Sequence, residues 1–348
     1  MTTSPLLSVL DLVPLASGLG SAQAVRDTVA LAQHAEALGY ARYWVAEHHN
    51  MQSLVSSAPE LFIAALSQRT STLRLGSGGM MLPNHSPLKV AETFRTLEAM
   101  APGRIDLGLG RAPGTDSRTA LALRRSREAL VADDFESQLA ELLAYTGRGF
   151  PERHPFAGIV AAPDDQPLPP LWFLSSSGYG AAVAAEMGAG LAFAAHINPD
   201  LNLAAQSARA YRAAFRPSET FPEPKVIVAQ TVILADTDAQ AERLALPLEL
   251  MFLRLMRGES ARFASVEDAE AYPFSAAERA QLGGMRRSGR LVVGSPQTVK
   301  ARLDLVLETT GADELMVGSP MHDLSDRLHS YRLLSKLYPQ GEISSAAD

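Results

Sequence analysis

Short apolar runs alternate with stretches of helical period along almost the whole chain. Leu6–Val13, Tyr43–Ala46, Leu73–Leu82, Arg104–Leu109, Leu171–Leu174, Leu191–Ala195, Lys225–Ala235 and Glu314–Val317 read as strands. Their apolar runs suit strands buried on both faces of a parallel sheet. Between them, Ser21–Leu38, Pro59–Gln68, Leu88–Met100, Asp133–Tyr145, Ala181–Met187, Asn202–Phe215 and Pro296–Thr309 read as helices. The first shows the spacing plainly, with Val25, Val29, Ala32, Ala35 and Leu38 on one face and Gly39 as its cap. Eight strands alternating with helices predict a single α/β domain over 1–348, a (β/α)₈ TIM barrel with insertions. An open doubly wound sheet is the competing arrangement, but no dinucleotide fingerprint opens the chain.

The alternation fails twice. Gly147–Pro170 is rich in Pro and Gly with one short apolar run, Ile159–Ala162, and reads as an excursion. Met256–Arg290 carries Gly283-Gly284 and Arg286-Arg287 without clear periodicity. A segment that long without regular structure is usually a lid or disordered, so 256–290 is expected to be a mobile lid beside the barrel mouth.

Barrels place their chemistry where strands end. The Tyr43 run stops in Glu47-His48-His49. Adjacent residues on a strand face opposite ways, so one histidine is expected in the mouth and the other outside, which argues against a metal pair. An imidazole titrating near neutrality suits proton management; Glu47 would orient polar groups around it. Gly78-Gly79 interrupt the third strand, where glycine marks close approach of backbone to a ligand or a bulge. Gly108–Gly114 (GLGRAPG) imitates a Rossmann fingerprint, yet its third glycine falls one place late and Pro113 has no N–H to offer. Arg111 is instead a candidate phosphate ligand, its planar fork matching phosphate oxygens, or a surface ion pair. Ser175–Gly180 (SSSGYG) precedes a helix, as an anion site or an ordinary serine cap. Asp11, Met80, Met81, His85, Phe193 and His196 are candidates for the substrate pocket; Met and Phe are more often plain core, and His85 could simply brace its loop.

Composition narrows the classes. Net charge is −7 and no Lys/Arg cluster tracks phosphates, which argues against nucleic acid. With no cysteine, disulfides, thiolate metal sites and a cysteine nucleophile are excluded. The N-terminus lacks a secretory pattern and no apolar run approaches ~18 residues, so a cytoplasmic protein off the membrane is expected. Ser344–Asp348 reads as a frayed tail.

Four strand-end motifs, AEHHN (Ala46–Asn50), GSGGMMLPNHSP (Gly76–Pro87), RIDLGLGRAPG (Arg104–Gly114) and SSSGYG, together resemble the bacterial luciferase-like flavin-dependent monooxygenases. The resemblance runs from about Leu6 to Tyr338, and the most similar subgroup includes tailoring oxygenases of aromatic polyketide antibiotics. It implies reduced FMN (FMNH2) as cosubstrate, molecular oxygen, and oxygenation of a small organic molecule through a flavin peroxide. A separate NAD(P)H:flavin reductase and a homodimer are expected with it. It selects His48 as the catalytic histidine, implies a cis peptide between Gly78 and Gly79, and places the flavin phosphate at Arg111, Ser176, Ser177 and Tyr179. Gly178 and Gly180 stand where polar residues are common. Three alternatives remain: a deazaflavin (F420)-dependent oxidoreductase, a metal-dependent barrel hydrolase and a non-catalytic flavin-binding protein. Fold alone decides none of them.

Overall fold

The computed structural model describes residues 4–131 and 134–340; the expected helix start at Asp133 and the tail Ser344–Asp348 lie outside the described residues. The strands are β1 (Leu6–Asp11), β2 (Arg42–Val45), β3 (Arg74–Ser77), β4 (Met80–Met81), β5 (Ile105–Gly110), β6 (Leu171–Ser175), β7 (Gly190–Ala194), β8 (Val226–Leu234), β9 (Leu291–Gly294) and β10 (Glu314–Gly318). All pair in parallel, and β10 bonds both β1 and β8, closing an eight-stranded barrel in which β3 and β4 are the two halves of one broken strand. Helices such as Ser21–Ala37, Pro59–Ser67, Pro87–Met100 and Pro296–Thr310 follow the strands, within a few residues of their sequence-based bounds.

Each strand alternates between two cores. Leu7, Val9, Tyr43, Val45, Leu107, Leu191, Phe193 and Val228 face outward to the helices; Leu10, Trp44, Trp172, Ala192, Ile227, Ala229 and Met316 fill the barrel. This period of two corrects two expected pocket residues. Asp11 continues the outward parity of β1 and is buried, accepting from Val13 N (2.9 Å), Thr28 Oγ1 (2.9 Å), Tyr43 Oη (2.5 Å) and Arg327 Nη2 (2.7 Å). It ties β1 to the C-terminal helix Leu324–Leu337 and does not face the mouth. Phe193, 1% exposed, belongs to the outer core. Met80 is likewise core, at 2%.

The N-terminal end of the barrel is plugged by charge. Arg42 bridges Asp106 (2.8 Å) and Glu314 (3.0 Å), Arg74 adds a second bond to Asp106 (2.6 Å), and Trp44 donates to it at 3.2 Å. Burial opposes the charge of Asp106, yet the two arginines hold its pKa below the ordinary range. A cavity of about 990 Å³ opens beneath this plug, but the charges on its floor are spent on one another. Above the plug the interior-facing positions shrink to Ala46, Gly78, Gly108, Ala194 and Ala229, which leaves the C-terminal end room for a ligand.

The 256–290 segment is not structureless. It follows a long helix, Asp238–Met256, and contains Val266–Ala271 and Ala276–Ser288, the latter closed by a Ser275–Glu278 capping box and leading into β9. Phe263 joins it to the mouth through backbone bonds with Leu15 and Ser17, and Arg286 pairs with Glu249 at 2.6 Å. Helical period was hidden because Ala276–Ser288 buries only Glu278 and Leu282, and its two glycines lie inside the helix. The Gly147–Pro170 excursion runs mostly as turns, anchored where Arg95 donates to the Ala161 carbonyl at 2.8 Å. Among the described residues no helix is long and apolar enough to cross a membrane.

Candidate active site

The β2 terminus delivers Glu47, His48 and His49 to the mouth. Glu47 is wholly buried and accepts from His49 Nε2 at 2.8 Å, His85 Nε2 at 2.9 and 3.0 Å, and Met81 N at 2.8 Å. Burial favours the neutral acid, but the donated hydrogen bonds and the His85 charge win and bring its pKa down to about 2. His85 in turn rises above its usual 6.5, the Glu47 bonds outweighing burial. His49 returns to Glu47 within the irregular segment that follows β2. The carboxylate clamps the β2 loop to the β4 loop.

His48 takes the other face. Its backbone N–H donates to Ser56 O at 2.9 Å, while ring Nδ1 is buried with no hydrogen-bond partner. Such an atom is costly to leave unpaired and marks a place for a ligand. Burial, then the neighbouring His196, push its pKa down to about 4. The imidazole is therefore a neutral base at pH 7, not a group titrating near neutrality as its type suggested. His196, after β7, faces it from the opposite side of the barrel. Its Nδ1 bonds the Ala229 carbonyl at 3.1 Å; a carbonyl only accepts, so Nδ1 carries the proton and Nε2 presents a lone pair. Burial lowers its pKa too.

Gly78-Gly79 is a cis peptide, as expected. The close approach is to the barrel's own filling: a Cβ on Gly78 would lie 2.6 Å from Leu10 Cδ1, and one on Gly79 2.9 Å from Gly108 O. Side chains on this pair are excluded from below.

At the ends of β5 and β6, the exposed Arg111 guanidinium stacks over the Tyr179 ring at 4.3 Å, and Tyr179 Oη donates to Glu136 at 2.9 Å. Arg111 has no carboxylate partner among the described residues. The helix Tyr179–Met187 starts from Gly178 with no side-chain cap, so the serine-cap reading fails. Ser175, not Ser176 or Ser177, forms the turn: its Oγ donates to Ser177 O (2.5 Å) and accepts from Ser177 N (3.2 Å). Asn198 Nδ2 holds the Ser176 carbonyl at 2.9 Å. Ser175 lay within the SSSGYG motif without being singled out, and Asn198 did not stand out, since an Asn after a strand is ordinary turn chemistry. The Arg111 guanidinium beside a helix start without a side-chain cap fits a phosphate, and the small-residue barrel top fits a planar ring.

The chain matches the family described as luciferase-like monooxygenase over residues 7–314. A luciferase-like monooxygenase of Escherichia coli (strain K12) is 40% identical over 94% of this chain and 95% of that protein. An N-acetyl-S-alkylcysteine monooxygenase of Bacillus subtilis (strain 168) is 34% identical over 94% and 97%. The crystal structure of apo-MsnO8 superimposes with a TM-score of 0.83 at 36% identity, over 96% of this chain and 98% of that one. More distant structures share the fold: the oxygenating constituent of 3,6-diketocamphane monooxygenase from Pseudomonas putida in complex with FMN (19% identity, TM-score 0.70) and a coenzyme F420 dependent reductase from Methanopyrus kandleri (15%, 0.65). By sequence and fold, this chain belongs to the luciferase-like monooxygenases.

Proposed function

We propose that the chain uses reduced FMN and molecular oxygen to oxygenate a small organic substrate. The observation that carries this reading is the pairing, across one mouth, of an open phosphate cradle with a buried neutral base. Arg111 and the start of the helix Tyr179–Met187 would hold the phosphate, with Ser176 and Ser177 beside them; the Gly78-Gly79 peptide would lie against the ring. When bound, reduced flavin supplies the electrons that activate oxygen.

The protein's own share is positioning and proton control. His48, being neutral, accepts a proton and returns it as oxygen is transferred. Glu47 holds the loops on either side of His48 through His49, His85 and Met81 N. The 256–290 helices, bonded to Leu15 and Ser17, would act as the lid that limits water, so that oxygen reaches the substrate and is not lost as hydrogen peroxide. The absence of a dinucleotide fingerprint from the sequence supports a separate NAD(P)H:flavin reductase. A role in secondary metabolism, as in antibiotic tailoring, remains part of the proposal and rests on the sequence motifs.

Anaerobic titration with reduced FMN and with reduced F420 tests the cofactor directly. Reduced FMN should bind more tightly, and admission of oxygen with substrate should yield oxygenated product and less hydrogen peroxide than without it. Tight binding of reduced F420 alone would move the chain to the hydride-transferring branch of its fold neighbours; binding of neither would sink the flavin reading.

A further inference from the structure

The C-terminal end of β7 carries an imidazole whose acceptor atom is unused. Leu191, Phe193 and Ala195 pack outward against the helices and Ala192 packs inward, so the next side chain, His196, falls on the inner side of the sheet. Contact holds it there. Its main-chain N–H and ring Nδ1 both donate to the carbonyl of Ala229, at 3.2 and 3.1 Å, and Ala229 belongs to the filling of the barrel. With Nδ1 spent as a donor, the neutral ring keeps one free atom, the Nε2 lone pair. The ring is half-buried. Burial first, and then this ring, keep His48 on the opposite wall from protonating.

Thr231 stands on the neighbouring strand. It lies two residues beyond Ala229 on β8, roughly 7 Å along the strand, and shares its inward parity. It too is half-buried. Neither His196 Nε2 nor Thr231 Oγ1 has a hydrogen-bond partner among the described residues. Around them the inward positions are apolar: Leu10, Ala46 and Met316, with Leu12 and Leu174 packed against them. An apolar cup with two unused polar atoms on one wall suits a small molecule oriented by a hydrogen bond. The histidine sets its sign. A lone pair takes an O–H or N–H, and offers nothing to the bare oxygens of a carboxylate, an ether or a ketone.

We propose that His196 and Thr231 read a hydroxyl or amide N–H on a neutral organic substrate and so fix which part of it faces His48. This deepens, and rests on, the reading of the mouth as an oxygenase site.

The test is calorimetric titration of the full chain, with FMN present. The probes are 3-phenylpropan-1-ol and hexan-1-ol, each against its methyl ether, and N-methyl-3-phenylpropanamide against its N,N-dimethyl analogue. The wild type should bind at least one donor ~3- to 10-fold more tightly than its capped partner, the worth of one hydrogen bond. His196→Phe should abolish that preference, His196→Gln should keep part of it and Thr231→Val should reduce it, with FMN affinity unchanged throughout. No donor preference anywhere in the panel, or one that survives in His196→Phe, overturns the proposal. If the Phe variant does not fold, a preference left whole in both His196→Gln and Thr231→Val overturns it equally. So does a His196→Phe change that weakens FMN and leaves the preference intact, since the histidine would then face flavin. If the pair reads donors yet the protein neither binds reduced FMN nor oxygenates anything, the oxygenase reading falls and the donor site stands.

Discussion

Glu47 and His85 meet carboxylate to imidazole at 2.9 and 3.0 Å, joining the end of β2 to the loop after β4. Because the carboxylate is fully buried, this contact fixes the two walls on either side of His48. Glu47→Gln keeps the shape but cannot accept from all three donors. It should cost about 3 kcal/mol of stability, the scale for breaking a buried charged pair, and return His85 toward its ordinary titration. Denaturant unfolding and an NMR titration of His85 check both; an unmoved His85 would show that Glu47 does not control it.

Removing His48 should separate binding from chemistry. His48→Ala is expected to lower product formation ~100-fold or more, the scale of a lost acid–base group. Reduced-FMN affinity should change little, and hydrogen peroxide should become the main fate of oxygen. Equal loss of binding and turnover would make His48 a cofactor ligand.

The pH dependence of stability has a definite sign. His48 titrates near 4 in the folded chain against 6.5 unfolded. Between those values the unfolded state binds the extra proton, so stability falls as pH drops from about 6.5 to about 4. Glu47 adds stability that is complete above 4.5 and lost as pH falls through about 2. His85 acts oppositely, its contribution full below 6.5 and lost as pH rises through its raised value. Chemical denaturation at a series of pH values should show the His48 part vanish in His48→Asn.

Arg111→Met should weaken FMN ~10- to 100-fold, the range for one charge-assisted contact. Riboflavin, which lacks the phosphate, should bind the variant and the wild type alike. Fluorescence titration with the two flavins separates them; an equal loss for riboflavin would place the arginine at the ring.

Two glycines should differ in tolerance. A Cβ at Gly78 meets the end of the Leu10 side chain at 2.6 Å, which can shift; one at Gly108 meets the Ser77 carbonyl at 2.1 Å, which is backbone inside the barrel. Gly78→Ala should fold with a cost of about 1–3 kcal/mol, and Gly108→Ala should fail to give soluble protein.

The sequence by itself determined the barrel, because strand and helix periods are local and each strand's apolar run declares burial on both faces. It also marked the strand ends that hold Glu47, His48, the Gly78-Gly79 pair and Arg111, since a polar group that stops an apolar run is visible without a partner. Tertiary structure decided the rest. Whether Asp11 and Phe193 faced inward depended on where each strand's parity began, and only the closed sheet sets that. The low titration of His48 came from burial and from His196 on the opposite side of the barrel, a neighbour no local pattern names. The 256–290 helices were hidden because a helix that buries two side chains leaves almost no period to read.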